Sequence, residues 1–321
     1  MAKPDSIFDR PVLQANKYRL ISLGLLMLAI YVVLPQLRIF GGGLRLIEQA
    51  DTKLVLAALG CVVLTYFSAA LTYWFLALHR ISYGKTFVVE LAGAFINRLL
   101  PAGIGAMGLN YLYLQANRHS RSQAATVVAV NNFMGLAGHL LLLALLLVTV
   151  PGQSRHWHLD LSVRSWWLVL VVVLIIVSLV LSSKHLKLVL QQFGRSFIRN
   201  LRSYHSRRKR LLLALGSSIL LTLLHVLGLW LCAHALGLRL SLMDSLLVLT
   251  AGISLGVAVP TPGGLGGVEA GLVGGLVATG LSSPEALTVT LLYRLLTFWL
   301  PLIAGGLAFI SLRSRRLLNL T

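Results

Sequence analysis

Six stretches of the chain stay apolar for about the 20 residues that a membrane-spanning helix needs. They lie near 20–37, 54–78, 123–150, 163–182, 211–236 and 285–311. Two further apolar regions, 86–116 and 245–281, break in the middle, at LLPAGIG (99–105) and at VPTPGGLGG (259–267). Each break leaves pieces of roughly 15 residues, short for a full crossing. Broken backbone at membrane depth is tolerated only where protein or a water-filled cavity supplies hydrogen-bond partners. The pattern therefore predicts an all-α polytopic membrane protein, one transmembrane domain over 1–321, with six full spans and two re-entrant broken-helix hairpins.

Basic residues test this topology, because Lys and Arg concentrate in cytoplasmic loops. With both hairpins re-entrant and the N-terminus cytoplasmic, the inside segments 1–19, 79–85, 117–122, 183–210 and 312–321 hold 20 Lys and Arg. The outside segments 38–53, 151–164 and 237–244 hold 6. If each hairpin crossed once instead, the loop with nine basic residues, 183–210, would be translocated. Both termini are therefore expected in the cytoplasm, and the apolar run from Leu20 to Leu34 is expected to be a retained first span, since no small-residue cleavage site follows it.

The two breaks share a pattern. Pro101–Gly105 reads PAGIG and Pro262–Gly266 reads PGGLG, an offset of 161 that also carries position 54 onto 215 and Ser122 onto Ser283. Each half, 54–150 and 211–311, then reads span, broken hairpin, span. Three crossings separate the hairpins, so they open to opposite sides, as an inverted repeat. Transporters of that architecture hold their site near the midplane, where two broken helices meet.

Composition agrees: 57% of residues are hydrophobic and 12% charged, with 28 Lys+Arg against 9 Asp+Glu, and the mean hydropathy is +0.84. The positive charges sit between spans instead of on one soluble face, so anionic lipid is the expected counter-charge and nucleic acid is not. The segment 183–210 places Leu186, Leu190, Phe193, Phe197, Leu201 and Tyr204 at helical spacing, opposite Lys187, Arg195, Arg199 and Arg202, and ends in RRKR at 207–210. It reads as an amphipathic helix on the anionic inner leaflet, or as plain positive-inside anchoring. Cys61 and Cys232 both fall inside spans and suit packing.

Four ionisable residues lie in apolar surroundings: Glu90 and Arg98 in the first hairpin, Glu269 in the second, and Arg294 in the last span. A charge at a helix centre costs roughly 2.5–3.5 kcal/mol on insertion scales, so such groups persist where they are paired or used. Glu269 and Arg294 could form a buried ion pair that ties hairpin to helix. On a functional reading, Arg294 binds a lipid phosphate through its planar donors while Glu269 positions it or accepts a proton. Thr261 is placed to cap the helix that follows, with the amides of Gly263, Gly264 and Gly266 facing an anion at its positive end. Gly267, Gly271 and Gly275 form a stripe for close helix packing. Asn97, Asn131 and Asn132 could line the opposite wall, or join helices by ordinary hydrogen bonds. His139, His225 and His234 have no metal-ligand spacing with carboxylates, and neither a metal nor another cofactor is expected.

PTPGGLGGVEAGL (260–272), followed by ALTVTLLYRLLTFWLPLIAGG (286–306), resembles the lysylphosphatidylglycerol synthase transmembrane-region family, a bacterial and archaeal group of membrane proteins. LLPAGIGAMGLNYLYL (99–114) is a weaker match, and Ala106 and Asn110 stand where many members carry Glu and Arg. The resemblance implies a flippase-like membrane region in a bacterial or archaeal cytoplasmic (inner) membrane. In the synthases a separate cytosolic domain makes the aminoacylated lipid, and no such domain is expected in this chain, so it is not expected to be an enzyme. Three functions stay open on sequence: a translocase or binding transporter for an anionic or aminoacylated phospholipid, a proton-coupled small-solute transporter using Glu269 or Glu90, and a non-transporting partner of a lipid or glycan synthesis enzyme.

Overall fold

The computed structural model describes residues 50–100, 104–149, 199–200, 202–258, 261 and 263–314. The expected spans near 20–37 and 163–182, the break residues Pro101–Gly103, Pro260 and Pro262, and the amphipathic segment up to 198 lie outside the described residues.

Among the described residues the fold is helical. Helix α1 spans Thr52–Leu76, α2 Tyr83–Leu99, α3 Ile104–Ala116, α4 Arg121–Thr149, α5 Arg208–Ala235, α6 Leu242–Ala258, α7 Gly267–Ala278, α8 Ser283–Arg294 and α9 Leu300–Ser314. A π-helical turn, Leu295–Trp299, joins α8 to α9, and a 3-10 turn, His205–Arg207, precedes α5. Helix starts carry local caps. The Asp51 carboxylate accepts the Lys53 N–H at 2.8 Å, and Glu285 Oε2 accepts both the N–H and the hydroxyl of Ser282 at 2.8 and 2.6 Å. Such caps satisfy the amides that a helix start leaves without intrahelical partners.

Four helices are long and apolar enough to cross a membrane: Thr52–Leu76, Arg121–Leu145, Arg208–Ala235 and the continuous run Ser283–Leu312. They match four of the expected spans. Their outward faces are apolar as well, with Leu56, Leu212, Ile303 and Leu307 more than half exposed. Apolar residues on both the packed and the outward side suit a lipid surround.

The short helices fold back on one another as two antiparallel hairpins. In α6–α7 the glycine stripe makes the seam: a Cβ on Gly267 would stand 2.7 Å from Leu255 O, on Gly271 2.5 Å from Ala251 O, and on Gly275 3.1 Å from Val248 Cα. In α2–α3, Gly105 meets the Ile96 backbone at 2.7 Å and Gly93 meets Ala106 at 3.4 Å by the same measure. The packing expected of Gly267–Gly275 is thus formed.

Long helices set the direction of each hairpin. The Asp51 N–H donates to Ala235 O at 2.8 Å, so α1 starts where α5 ends. Leu78 and His79 N–H groups both donate to His119 Nε2 at 3.1 Å, so the start of α2 and the end of α3 share the other end of the bundle. The hairpin α2–α3 therefore enters from one end and α6–α7 from the opposite one, and their tips meet: a Cβ on Gly263 would stand 3.3 Å from Arg98 Cα. One apolar core, containing Leu229, Leu272, Leu276 and Leu292, lies on the α6–α7 side. A second, containing Leu76, Val89, Leu114 and Val127, lies on the α2–α3 side.

Candidate functional site

The site forms where the two hairpin tips meet the last span. Before α7 the chain turns tightly, with φ of +63°, +68° and +83° at Gly263, Gly264 and Gly266, a region that glycine enters without strain. A side chain on Gly263 would also strike the Phe298 ring, 2.6 Å away. Gly266 is the N-cap of α7, and Glu269, at the third helical position, supplies the carboxylate half of a capping box: its Oε2 accepts the Gly266 N–H at 2.7 Å.

This corrects the expected role of Thr261. Its hydroxyl donates to Leu265 O at 2.7 Å instead of capping α7, and its carbonyl accepts the Gly264 N–H at 3.0 Å. The expected row of open amides is also absent at Gly264 and Gly266, because intramolecular acceptors take both. The physical reason is proximity. A carboxylate at the third helical position reaches the positive helix end without any loss of translational freedom, so it occupies the place of an outside anion.

The second oxygen of Glu269 faces the last span. Arg294 Nε donates to Glu269 Oε1 at 2.6 Å, between side chains 10% and 19% exposed. Arg294 Nη2 lies 3.5 Å from Gly263 O, and its Cζ stands 4.4 Å from the centre of the Phe298 ring. One turn separates Arg294 from Phe298 along the helix, the spacing at which side chains meet.

Arg98 arrives from the other hairpin. Its Cζ lies 5.2 Å from the same Phe298 ring, so two guanidiniums share one aromatic face system. Nη1 donates to Ala94 O within its own helix and Nη2 to Thr297 O in the π turn. That second acceptor exists because of Pro301. A regular helix would bond Thr297 O to the N–H four residues on, and proline has none. The turn instead closes a wider loop, with Leu300 N–H on Leu295 O, a geometry found often at functional sites. Arg98 Nε is buried without a hydrogen-bond partner.

Electrostatically the centre is incomplete. Two arginines stand close enough for their charges to act on each other, and Glu269–Arg294 is the one ion pair among the described residues. The excess cation sits in a low-dielectric environment, where an uncompensated charge is expensive. Its planar donors and an unpaired Nε suit an oxyanion such as phosphate or carboxylate.

Sequence reading missed several neighbours. Phe298 supplies the shared ring, Tyr66 stands beside Arg98, and His225 Nδ1 lies 3.1 Å from the Tyr293 hydroxyl, with its ring near Arg98. The i, i+4 spacing of Arg294 and Phe298 and the proline within the last span were signals in plain view; Tyr66 and His225 carried none.

Other predicted residues separate from this centre. Asn97 adjoins Arg98 in sequence, with Oδ1 buried and without a partner. Glu90 lies two turns away on α2, beside Asn110 and Tyr73, and its Oε1 is buried without a partner. Asn132 is exposed on α4, a helix that packs on α1, α3 and α5, so it is not brought to the arginines. An offset of 161 carries Asn132 onto Tyr293, next to Arg294, but the helices on which α4 packs do not include the last span. Among the described residues no group of His, Cys, Asp and Glu could hold a metal.

Residues 19–305 match the family described as the lysylphosphatidylglycerol synthase TM region. The chain belongs to that family. It is also similar to the UPF0104 membrane protein PH1989 of Pyrococcus horikoshii, 30% identical over 129 residues, which are 40% of this chain and 37% of that protein. The alignment thus spans little more than a third of that relative. Family membership fits a prokaryotic membrane protein that carries the membrane region of the synthases.

Proposed function

We propose that this protein is a translocase or binding transporter for an anionic or aminoacylated phospholipid, and that the headgroup phosphate docks between Arg98 and Arg294. The observation that carries the reading is the pair of buried guanidiniums on Phe298 with a single carboxylate, Glu269, which pairs with Arg294. A lipid phosphodiester brings the missing negative charge and planar acceptors for both arginines. Glu269 holds Arg294 in place and leaves when the phosphate competes for it. Support for an alternating path comes from the two hairpins of opposite entry, each flanked by a long helix on either side, the order expected of an inverted repeat. The ring of basic residues at one bundle end, including Arg80, Lys85, Arg118, Arg121 and Arg207–Arg210, supports a cytoplasmic assignment for that end.

The test is fluorescent phosphatidylglycerol in proteoliposomes, with an outside quencher reporting movement between leaflets. Arg294→Gln and Arg98→Gln each slow the initial rate by about tenfold or more, the effect of losing one charge-assisted contact. Unchanged rates in the folded variants would remove the proposal. A second reading, proton-coupled transport of a small solute, rests on Glu90, a buried carboxyl with no cationic partner among the described residues. Solute-dependent proton uptake that Glu90→Gln abolishes, with lipid movement absent, selects it.

A further inference from the structure

The bundle end that carries the basic residues holds a cleft of about 520 Å³, distant from the buried arginine centre. It is lined by Trp74 near the end of α1, by His79 and Arg80 of the turn that follows, by Arg207 just before α5, and by Arg210 and Leu213 in its first turns. Its lining is part cationic and part apolar.

The turn that forms the floor is held from three sides. Tyr204 donates its hydroxyl to Leu76 O at 2.6 Å. Arg207 Nη1 donates to Leu78 O at 3.2 Å and reaches Ala77 O at 3.4 Å. From the loop before α4, His119 Nε2 accepts the N–H groups of Leu78 and His79, both at 3.1 Å, while Nδ1 faces the carbonyls of Leu114 and Asn117 at 3.1 and 3.0 Å. The Leu76 carbonyl and the backbone of the turn thereby have partners before any ligand arrives.

Arg207 spends one nitrogen on this scaffold, which leaves the rest of its five-donor fork for the cleft. Arg80 and Arg210 are exposed, and neither pairs with a carboxylate among the described residues. The same lining includes the half-exposed ring of Trp74, 44% exposed, and Leu213, 52% exposed. Trp74 is fixed at 6.4 Å, edge to face, against Tyr83. Paired aromatic rings where an apolar helix ends belong at the headgroup level of a bilayer. An amphiphile fits this geometry and a free ion does not use half of it: its anion meets three guanidiniums while its chains follow Trp74 and Leu213 outward.

We propose that this cleft is a binding site for the phosphate headgroup of one anionic phospholipid of the surrounding leaflet, separate from the translocation centre at Arg98 and Arg294. The bound lipid pins the α1–α2 turn against the start of α5. It also brings an anionic lipid to the mouth of the α2–α3 hairpin.

Native mass spectrometry of the full chain in detergent, titrated with phosphatidylglycerol, phosphatidylcholine or soluble glycerol phosphate, tests the site. Wild type retains two phosphatidylglycerols, each at about tenfold higher affinity than phosphatidylcholine, Arg80→Gln/Arg210→Gln loses one of them, and Arg98→Gln/Arg294→Gln keeps the one at the cleft with its preference. Because Arg80 and Arg210 are exposed, the double variant folds; an unchanged melting temperature verifies this. Equal retention by wild type and the Arg80→Gln/Arg210→Gln protein overturns the proposal, as does equal affinity for the zwitterionic lipid. Competition by glycerol phosphate at the same concentration as the lipid overturns the role given to the apolar lining. Loss of the preference in Arg98→Gln/Arg294→Gln instead assigns the retained lipids to the buried centre and also overturns it.

Discussion

Glu269→Gln is the perturbation that separates an anion-seeking centre from a sealed ion pair. Glutamine keeps the length and shape of the side chain, and its carbonyl can still accept the Gly266 N–H, so the substitution removes charge and little else. Arg294 then loses its 2.6 Å partner while remaining next to Arg98 on the Phe298 ring. Removing one member of a buried pair costs roughly 3–5 kcal/mol. For a chain of this size that lowers the melting temperature on the order of 10 °C. Arg294→Gln behaves differently. It leaves the Glu269 carboxylate on the positive end of α7 and reduces the crowding of two cations, so its effect is smaller, about 1–2 kcal/mol. The assay is thermal melting in detergent, repeated with phosphatidylglycerol and with phosphatidylcholine. The anionic lipid restores a substantial part of the loss in Glu269→Gln and little in Arg294→Gln. Equal destabilisation by the two substitutions, with no selective rescue by the anionic lipid, refutes the reasoning and leaves a structural ion pair.

Three further outcomes are expected. Pro301→Ala supplies an N–H that competes for Thr297 O, loosens Arg98 and slows lipid movement, which the proteoliposome assay reads; an unchanged rate means the π turn is incidental. Gly271→Ala drives a Cβ to 2.5 Å from Ala251 O and destabilises by about 1–3 kcal/mol, whereas Gly274→Ala, with nothing within 4 Å, stabilises by about 0.5–1 kcal/mol; thermal melts compare them. Burial holds the His119 imidazole below its usual value of 6.5, and the nearby His79 adds to the effect against the hydrogen bonds that Nδ1–H donates to the Asn117 and Leu114 carbonyls. The neutral ring is the form that accepts from Leu78 and His79. As pH falls through about 6.5 the unfolded chain takes up the proton first, so this contribution to stability declines below that pH until the lowered folded value is reached. The protection factors of the Leu78 and His79 amides, measured against the intrinsic exchange rate at each pH, fall over that window in wild type and stay level in His119→Gln.

Much of the fold is written in the residue pattern. Apolar runs mark the four described spans, and the Pro/Gly breaks mark both hairpin tips, because lipid permits few other readings of a 12–17-residue apolar helix. Glycine spacing at 267, 271 and 275 likewise announces the seam of the second hairpin. Charges in apolar surroundings point to Arg98, Glu269 and Arg294, since each needs a partner. What stays hidden is who reaches whom. Arg98 and Thr297 are 199 positions apart, and no periodicity encodes that meeting. The N-terminus of α7 shows a different limit: Thr261 and Glu269 both suit a cap, and turn geometry at Gly263–Gly266 decides for Glu269. Asn132 marks a third, because an offset between repeat halves aligns depth in a bundle without fixing which face a residue occupies.

The most direct measurement is carbon–phosphorus dipolar dephasing by solid-state NMR, on protein with labelled arginine guanidinium carbons in phosphatidylglycerol bilayers. The account predicts a dephased component that Arg80→Gln/Arg210→Gln leaves in place and Arg98→Gln/Arg294→Gln eliminates. If the spectrum of the Arg98→Gln/Arg294→Gln protein dephases as wild type does, no lipid phosphate reaches the buried arginines, and the translocation centre is contradicted.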